Sequence, residues 1–283
     1  MSAAGLAGAD GGLSWIDAVV LGVVEGLTEF LPISSTGHLI VAQRLLGLPA
    51  GEAANTFAIG IQMGAITAIL VLYWRRLWHA LRTIARPERG RPNLLWQIAI
   101  AAVPAVVLGL LFDDWIDAHL FSARVVGVTL VAGGVILLWL ERWLSGRPAR
   151  FAELGEMPYR TALWIGVWQC LALVPGTSRA GATIGGALVL GTSRTAAAEF
   201  SFLVGLPILY GASLYKLWSH PEALAGDAVV PFAVGTVVSF FSALVVVWPF
   251  VQFLRRHTFV PFAWYRIVGG GAILALCVAG VLE

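Results

Sequence analysis

Apolar residues run along this chain in blocks, at about 13–31, 33–48, 53–74, 94–112, 121–141, 161–174, 178–191, 196–218, 228–254 and 260–282, and each block predicts a helix. A helix needs about 20 mostly apolar residues to cross the hydrocarbon of a bilayer. The second, sixth and seventh blocks fall short of that or end at a proline. Short paired helices broken by Pro and Gly predict hairpins that enter the membrane and turn back, one at 13–48 and one at 161–191, leaving six full spans. Non-helical backbone at that depth survives only where it lines a protein or water-filled cavity. The small and polar residues 1–12 lack the basic start of a cleavable signal peptide and are expected to form a short flexible lead.

Composition agrees with this pattern: 59% of the 283 residues are hydrophobic and only 12% are charged, a balance that predicts a polytopic all-α membrane protein. The formal charge of +2 gives no support to nucleic-acid binding. Cys170 and Cys277 lie far apart in apolar blocks, so neither a disulfide nor a metal site is expected of them. Arginine placement sets an expected orientation, because short cytoplasmic connections carry the excess of basic residues. Six arginines fall between Arg75 and Arg91, four between Arg142 and Arg160, and Arg255, Arg256 and Arg266 flank the last turnaround. The other connections carry Asp113, Asp114 and Asp117, or Glu222 and Asp227, and are expected outside together with both ends of the chain.

The two halves of the sequence answer one another. Gly22-Val-Val-Glu25 matches Gly166-Val-Trp-Gln169, Pro32 matches Pro175, and Asn55-Thr-Phe57 matches Ala198-Glu-Phe200. Within one integral membrane domain, a first repeat at about 13–141 and a second at about 158–282 would each hold one re-entrant hairpin and three spans. Three is odd, so the second repeat is expected upside down relative to the first, the arrangement in which broken helices form a site at the repeat interface.

The chemistry gathers at the two breaks. An ionised carboxylate at the middle of a membrane helix costs roughly 2.5–3.5 kcal/mol on insertion scales. Glu25 and Glu29, in EGLTEFLPISSTGH, share one helix face at i, i+4, where like charges repel unless a cation sits between them. Their oxygens suit Mg²⁺ or Ca²⁺ with water and phosphate as further ligands; the alternative is a solvated helix end, which the apolar Phe30, Leu31 and Ile33 disfavour. Ser34, Ser35 and Thr36 follow Pro32 as caps, or as hydroxyls beside an anion held at a helix N-terminus. His38, three residues after Ser35, is either a satisfied interior histidine or a base, acid or nucleophile. At the second break, Pro175-Gly176-Thr177-Ser178-Arg179 puts close-approach glycine, hydroxyls and a guanidinium between apolar blocks. Arg179 can clamp phosphate in two-pronged fashion, the plainer alternative being an arginine that snorkels to the interface. Glu199 is expected either to support the site or to sit at a helix start, and Gln62 and Gln169 to pack helices.

EGLTEFLPISSTGH followed by PGTSRAGAT, over essentially the whole chain, resembles the bacterial undecaprenyl-diphosphate phosphatase family, also called the bacitracin-resistance protein family. That resemblance implies hydrolysis of undecaprenyl diphosphate to the monophosphate and inorganic phosphate, on the extracytoplasmic face of the bacterial cytoplasmic membrane. The lipid carrier of peptidoglycan synthesis would thereby be recycled and bacitracin resistance conferred. The family's acidic motif falls on Glu25 and Glu29, its hydroxyl and histidine motif on Ser34, Ser35, Thr36 and His38, and its P-G-x-S-R motif on Pro175, Gly176, Ser178 and Arg179. Family members usually carry serine after that arginine, where this chain has Ala180.

The expected mechanism is in-line attack on the terminal phosphorus. Glu25 and Glu29 would hold a divalent cation, Arg179 would stabilise the charged oxygens, Ser34, Thr36, Gly176, Thr177 and Ser178 would bind phosphate, and Ser35 would attack with His38 as base. A histidine nucleophile is the open alternative. Expected partners are the long-chain polyprenyl diphosphate, membrane lipids and, as a homodimer, a second copy of the chain. A transporter or flippase would explain the broken helices equally well but not the mixture of nucleophile, acid and arginine types. The acid-phosphatase-like lipid phosphatases need a histidine at a fixed distance after Ser-Arg, where this chain has Gly185 or Phe200. A scaffold role leaves the buried ionisable residues without a purpose.

Overall fold

A computed structural model describes residues 13–49, 51–85, 91–120 and 122–282. The expected lead at 1–12, part of the arginine-rich connection at 86–90, and the side chains of Asp113, Asp114, Asp117 and Glu222 lie outside the described residues. All ten apolar blocks are helical, and among the described residues there are eleven α-helices: α1 Trp15–Thr28, α2 Ser35–Leu45, α3 Glu52–Leu72, α4 Trp74–Arg82, α5 Leu94–Leu120, α6 Ala123–Leu144, α7 Tyr159–Gln169, α8 Arg179–Val189, α9 Arg194–Ser219, α10 Val229–Leu254 and α11 Val260–Val278. Six stretches are long and apolar enough to cross a membrane: Ala53–Leu72, Leu94–Phe112, Ala123–Leu144, Arg194–Ser219, Gly226–Leu254 and Val260–Val278. The chain is a multi-pass membrane protein. Its outward helix faces carry exposed Val135, Ile136, Phe241, Val245 and Val268, which suits lipid and not water.

Local chemistry sets the helix ends. Ser14 and Asp17 form a capping box at the start of α1, and Ser122 and Ser193 accept N–H groups of the first turns of α6 and α9. α1 stops before Pro32, and α7 tightens into a 3₁₀ turn at Cys170–Leu173 before Pro175. α4 departs from expectation. Arg75, Arg76 and Arg82 sit on a short amphipathic helix that buries Leu77 and Ala80, not in an open loop. Its mixed Trp and Arg face hides it from a search for apolar blocks.

Helices cross between the two halves of the chain at contacts too close for a side chain. A Cβ on Gly22 in α1 would lie 2.6 Å from the Gly235 carbonyl oxygen of α10, and a Cβ on Gly166 in α7 would lie 2.3 Å from the Ala101 carbonyl oxygen of α5. Small residues thus let each broken hairpin dock on a span of the other half. A large apolar core fills the space between these helices, with Phe30 from the first break set edge-on to Phe202 of α9 at 5.3 Å between ring centres. Cys170 and Cys277 are free thiols.

Candidate active site

The two breaks meet. α1 ends at Thr28, Glu29 caps it, and the chain turns through Pro32 to Ser34, whose φ is 70°. α7 ends at Gln169 and the chain turns through Pro175 and Gly176 to Ser178, whose φ is 72°. Among the described residues these serines are the only non-glycine positions with positive φ, and each stands directly before a helix. Ser178 Oγ accepts the Gly181 N–H at 3.1 Å, whereas Ser34 makes no such bond. The first N–H groups of α2 are therefore not capped by that side chain, as an anion site at a helix start requires.

Glu29 joins the halves. Its Oε1 lies 2.9 Å from Arg179 Nη2, and its Oε2 accepts the Ser35 hydroxyl at 2.6 Å. Arg179 is held further by donating to the Ser201 carbonyl oxygen at 2.5 Å and by the Phe30 ring, 5.8 Å below its guanidinium carbon. Its Nε is buried with no protein partner, so one donor stays free. Glu29, Ser34, Ser35, Thr36, Gly176, Ser178 and Arg179 all line one cavity of about 180 Å³. Thr177 does not line it and stays in the second break, where its N–H bonds the Val174 carbonyl.

His38 is the main departure from expectation. Its Nδ1 pairs with the Ser34 carbonyl oxygen at 2.7 Å and its Nε2 with the Tyr265 hydroxyl at 2.7 Å, and the two rings stack. It lines a separate, largely apolar cavity of about 310 Å³. The pairing with Ser35 expected from their spacing is therefore not formed; Ser35 bonds Glu29 instead. Glu199 also lies away from the cavity, in an ion pair with Arg76 at 2.7 Å. Ala180 is fully buried in the apolar core and does not line this cavity.

Arg266 was expected at a cytoplasmic turnaround and is instead inside α11, 2% exposed. Its guanidinium donates to the carbonyl oxygens of Pro32 at 3.2 Å, Thr129 at 3.2 Å, Leu130 at 3.4 Å and Gly176 at 3.4 Å. Carbonyls freed where the two hairpins break need donors, and an arginine fork offers five. Gln62 and Gln169, expected only to pack helices, both line the cavity beside Arg179. Their one signal in the sequence is an amide inside an apolar block next to a break.

A divalent cation must find its ligands here among few groups. Among the described residues no three of His, Cys, Asp and Glu gather to hold a metal. Glu25 is fully buried, and both its carboxylate oxygens lack a hydrogen-bond partner, while both Glu29 oxygens are engaged. Glu25 does not line the cavity that holds Glu29, and two carboxylates alone would leave most positions around a hard cation to water and phosphate oxygens.

A family model described as bacitracin resistance protein BacA matches residues 18–272. A protein of Polaromonas sp. (strain JS666), named undecaprenyl-diphosphatase, is 47% identical over 94% of this chain and 96% of its own. Proteins of Limosilactobacillus fermentum, named undecaprenyl-diphosphatase, and of Rhodospirillum rubrum, named undecaprenyl-diphosphatase 2, are 42% identical over 93% and 47% identical over 95% of this chain, and 97% of each relative is covered. The family match takes in both breaks, five spans whole and most of the sixth, and the chain belongs to the bacitracin resistance protein BacA family.

Proposed function

We propose that this chain hydrolyses undecaprenyl diphosphate to undecaprenyl phosphate and inorganic phosphate, at the extracytoplasmic face of the bacterial cytoplasmic membrane. Relatives covering nearly the whole chain carry the name of that activity. The observation that carries it is the shared carboxylate: Glu29 accepts the Ser35 hydroxyl and meets Arg179 within one cavity. A nucleophile, its proton acceptor and an oxyanion-stabilising guanidinium are thereby brought together.

Ser35 gives its proton to Glu29 as its Oγ attacks the terminal phosphorus. The Oγ–P bond forms while the bond from that phosphorus to the bridging oxygen breaks, and undecaprenyl phosphate leaves with the bridging oxygen and its electron pair. Water then attacks the phosphoserine as the Oγ–P bond breaks; Glu29 returns to the serine oxygen the proton it took from it, takes up the proton that water loses and releases it to solvent as inorganic phosphate departs. Arg179 and the uncapped N–H groups at the start of α2 hold the charge on the phosphoryl oxygens through both steps. Both His38 nitrogens are engaged outside the cavity, which favours serine over histidine as nucleophile. Glu25 and Glu29 would hold a divalent cation, Mg²⁺ or Ca²⁺, whose chemistry there is neutralisation of diphosphate charge.

An inverted repeat is the architecture that best explains the site. Ser34 and Ser178 share a backbone conformation, and each hairpin docks through glycine on a span of the other half. Arginines on α4, after α6 and at the end of α10 support placing those connections on the cytoplasmic side. Phosphate release from a long-chain polyprenyl diphosphate in detergent tests the assignment. Release by the wild type and its loss in Ser35→Ala, still folded, is expected; no release by folded wild type would point to a transporter instead.

A further inference from the structure

Gln169 is the last residue of α7, next to the 3₁₀ turn that leads into the second break. It is 1% exposed, and neither its Oε1 nor its Nε2 has a hydrogen-bond partner in the protein. A primary amide brings two donors and an acceptor oxygen, and leaving them unmet in the interior is costly where leucine or methionine would fill the same volume without that cost. The residue borders open space, however. It lines the cavity that holds Glu29, Ser35, Ser178 and Arg179. The buried Nε of Arg179 is a second donor without a protein partner in the same site.

Unmet donors beside an arginine match a ligand rich in acceptor oxygens. We propose that Gln169 is a substrate-binding residue whose amide N–H groups hold a non-bridging phosphate oxygen of the diphosphate. The inference rests on the phosphatase assignment and deepens it. Gln169 occupies the position that Glu25 holds in the first half of the sequence match. An amide there donates to phosphate where a second carboxylate would repel it. One half of the site thus offers acids and the other offers donors.

Gln169→Leu tests this, because it keeps the volume and removes the hydrogen-bonding groups. With purified full-length protein in detergent, kcat/KM for polyprenyl diphosphate release is expected to fall about ten- to hundredfold, the loss of a hydrogen bond to a charged group. Thermal stability without substrate is expected to hold or rise. Gln169→Glu should lose more than Gln169→Leu, since it places an anion against the phosphate. In the same preparations, stabilisation of the wild type by inorganic pyrophosphate should shrink in Gln169→Leu. Unchanged kcat/KM in Gln169→Leu with an active wild type overturns the inference alone, as does a fall in activity matched by a fall in stability. An inactive but folded wild type overturns the phosphatase assignment and the inference with it.

Discussion

Ser34 and Ser178 adopt one unusual backbone conformation, φ 70° and 72°, each immediately before the helix that follows a break. Such geometry costs a non-glycine residue of order 1–3 kcal/mol. Only Ser178 recovers part of that through its cap on Gly181. Glycine relieves the strain at either position but adds about 0.5–1 kcal/mol of unfolded-chain entropy, and at Ser178 it also forfeits a cap bond of about 1 kcal/mol. Ser34→Gly is therefore expected to raise the unfolding temperature and Ser178→Gly to leave it nearly unchanged. Equal shifts in thermal melts of the two variants would contradict this account of the strain.

Glu29 and Arg179 form an almost fully buried pair, with 6% and 9% of their side chains exposed. Removing one member of such a pair leaves a buried charge and costs about 3–5 kcal/mol. Arg179→Met should therefore destabilise strongly, and Glu29→Gln combined with Arg179→Met should recover most of the loss. Phosphate release should remain absent in both. A double variant that regains activity with stability would show the pair to be structural only. Arg179→Lys should lose about 10²–10³-fold in kcat, because a single ammonium cannot serve Glu29 and the Ser201 carbonyl in the geometry of the guanidinium fork.

Arg266 ties the two breaks together through the carbonyls of Pro32 and Gly176. Arg266→Met would free four carbonyl contacts in the interior at once. A loss of about 3–5 kcal/mol is expected, and protease cleavage near residues 30–34 and 174–178 should rise. Normal stability in Arg266→Met would mean that the breaks hold themselves.

Block length and proline placement made the spans and both breaks legible, because a membrane leaves few structures besides helices open to the backbone. The acids, hydroxyls and arginine of the site stood out for the same reason: charge in an apolar block is expensive. What stayed hidden depends on direction. The i, i+3 spacing of Ser35 and His38 is compatible with contact, yet the ring points to Tyr265 on α11, a partner more than two hundred residues away. Arg266 looked like an orientation signal since its carbonyl partners have no side-chain signature. Gln62 and Gln169 read as packing residues in the sequence, because an amide inside an apolar block carries no sign of the cavity it faces.

His38 bridges the Ser34 carbonyl and the Tyr265 hydroxyl at the start of α2 and makes no bond to Ser35, a placement that suits steadying that start. Tyr265→Phe and His38→Phe are expected to lower kcat about tenfold or less by loosening that start, and to leave the pH dependence of kcat unchanged. Loss of an acidic limb from the pH profile in His38→Phe would make the histidine the base for Ser35 after all.

Glu25 separates the cation from the guanidinium as the source of positive charge. Its two oxygens have no protein partner, whereas those of Glu29 are already bound, so a cation that assists turnover needs Glu25 more than Glu29 for its attachment. Chelator is expected to lower phosphate release by the wild type, with recovery on adding Mg²⁺ or Ca²⁺. Glu25→Gln should lower release to a similar level and make it insensitive to both chelator and added cation, while the Ser35 to Glu29 hydrogen bond survives. Wild-type release that is unaffected by chelator would remove the cation from the site and leave Arg179 with the helix N-terminus of α2 as the whole of the charge stabilisation. Residual chelator sensitivity in Glu25→Gln would move the cation to another set of ligands, with the diphosphate itself as the first candidate.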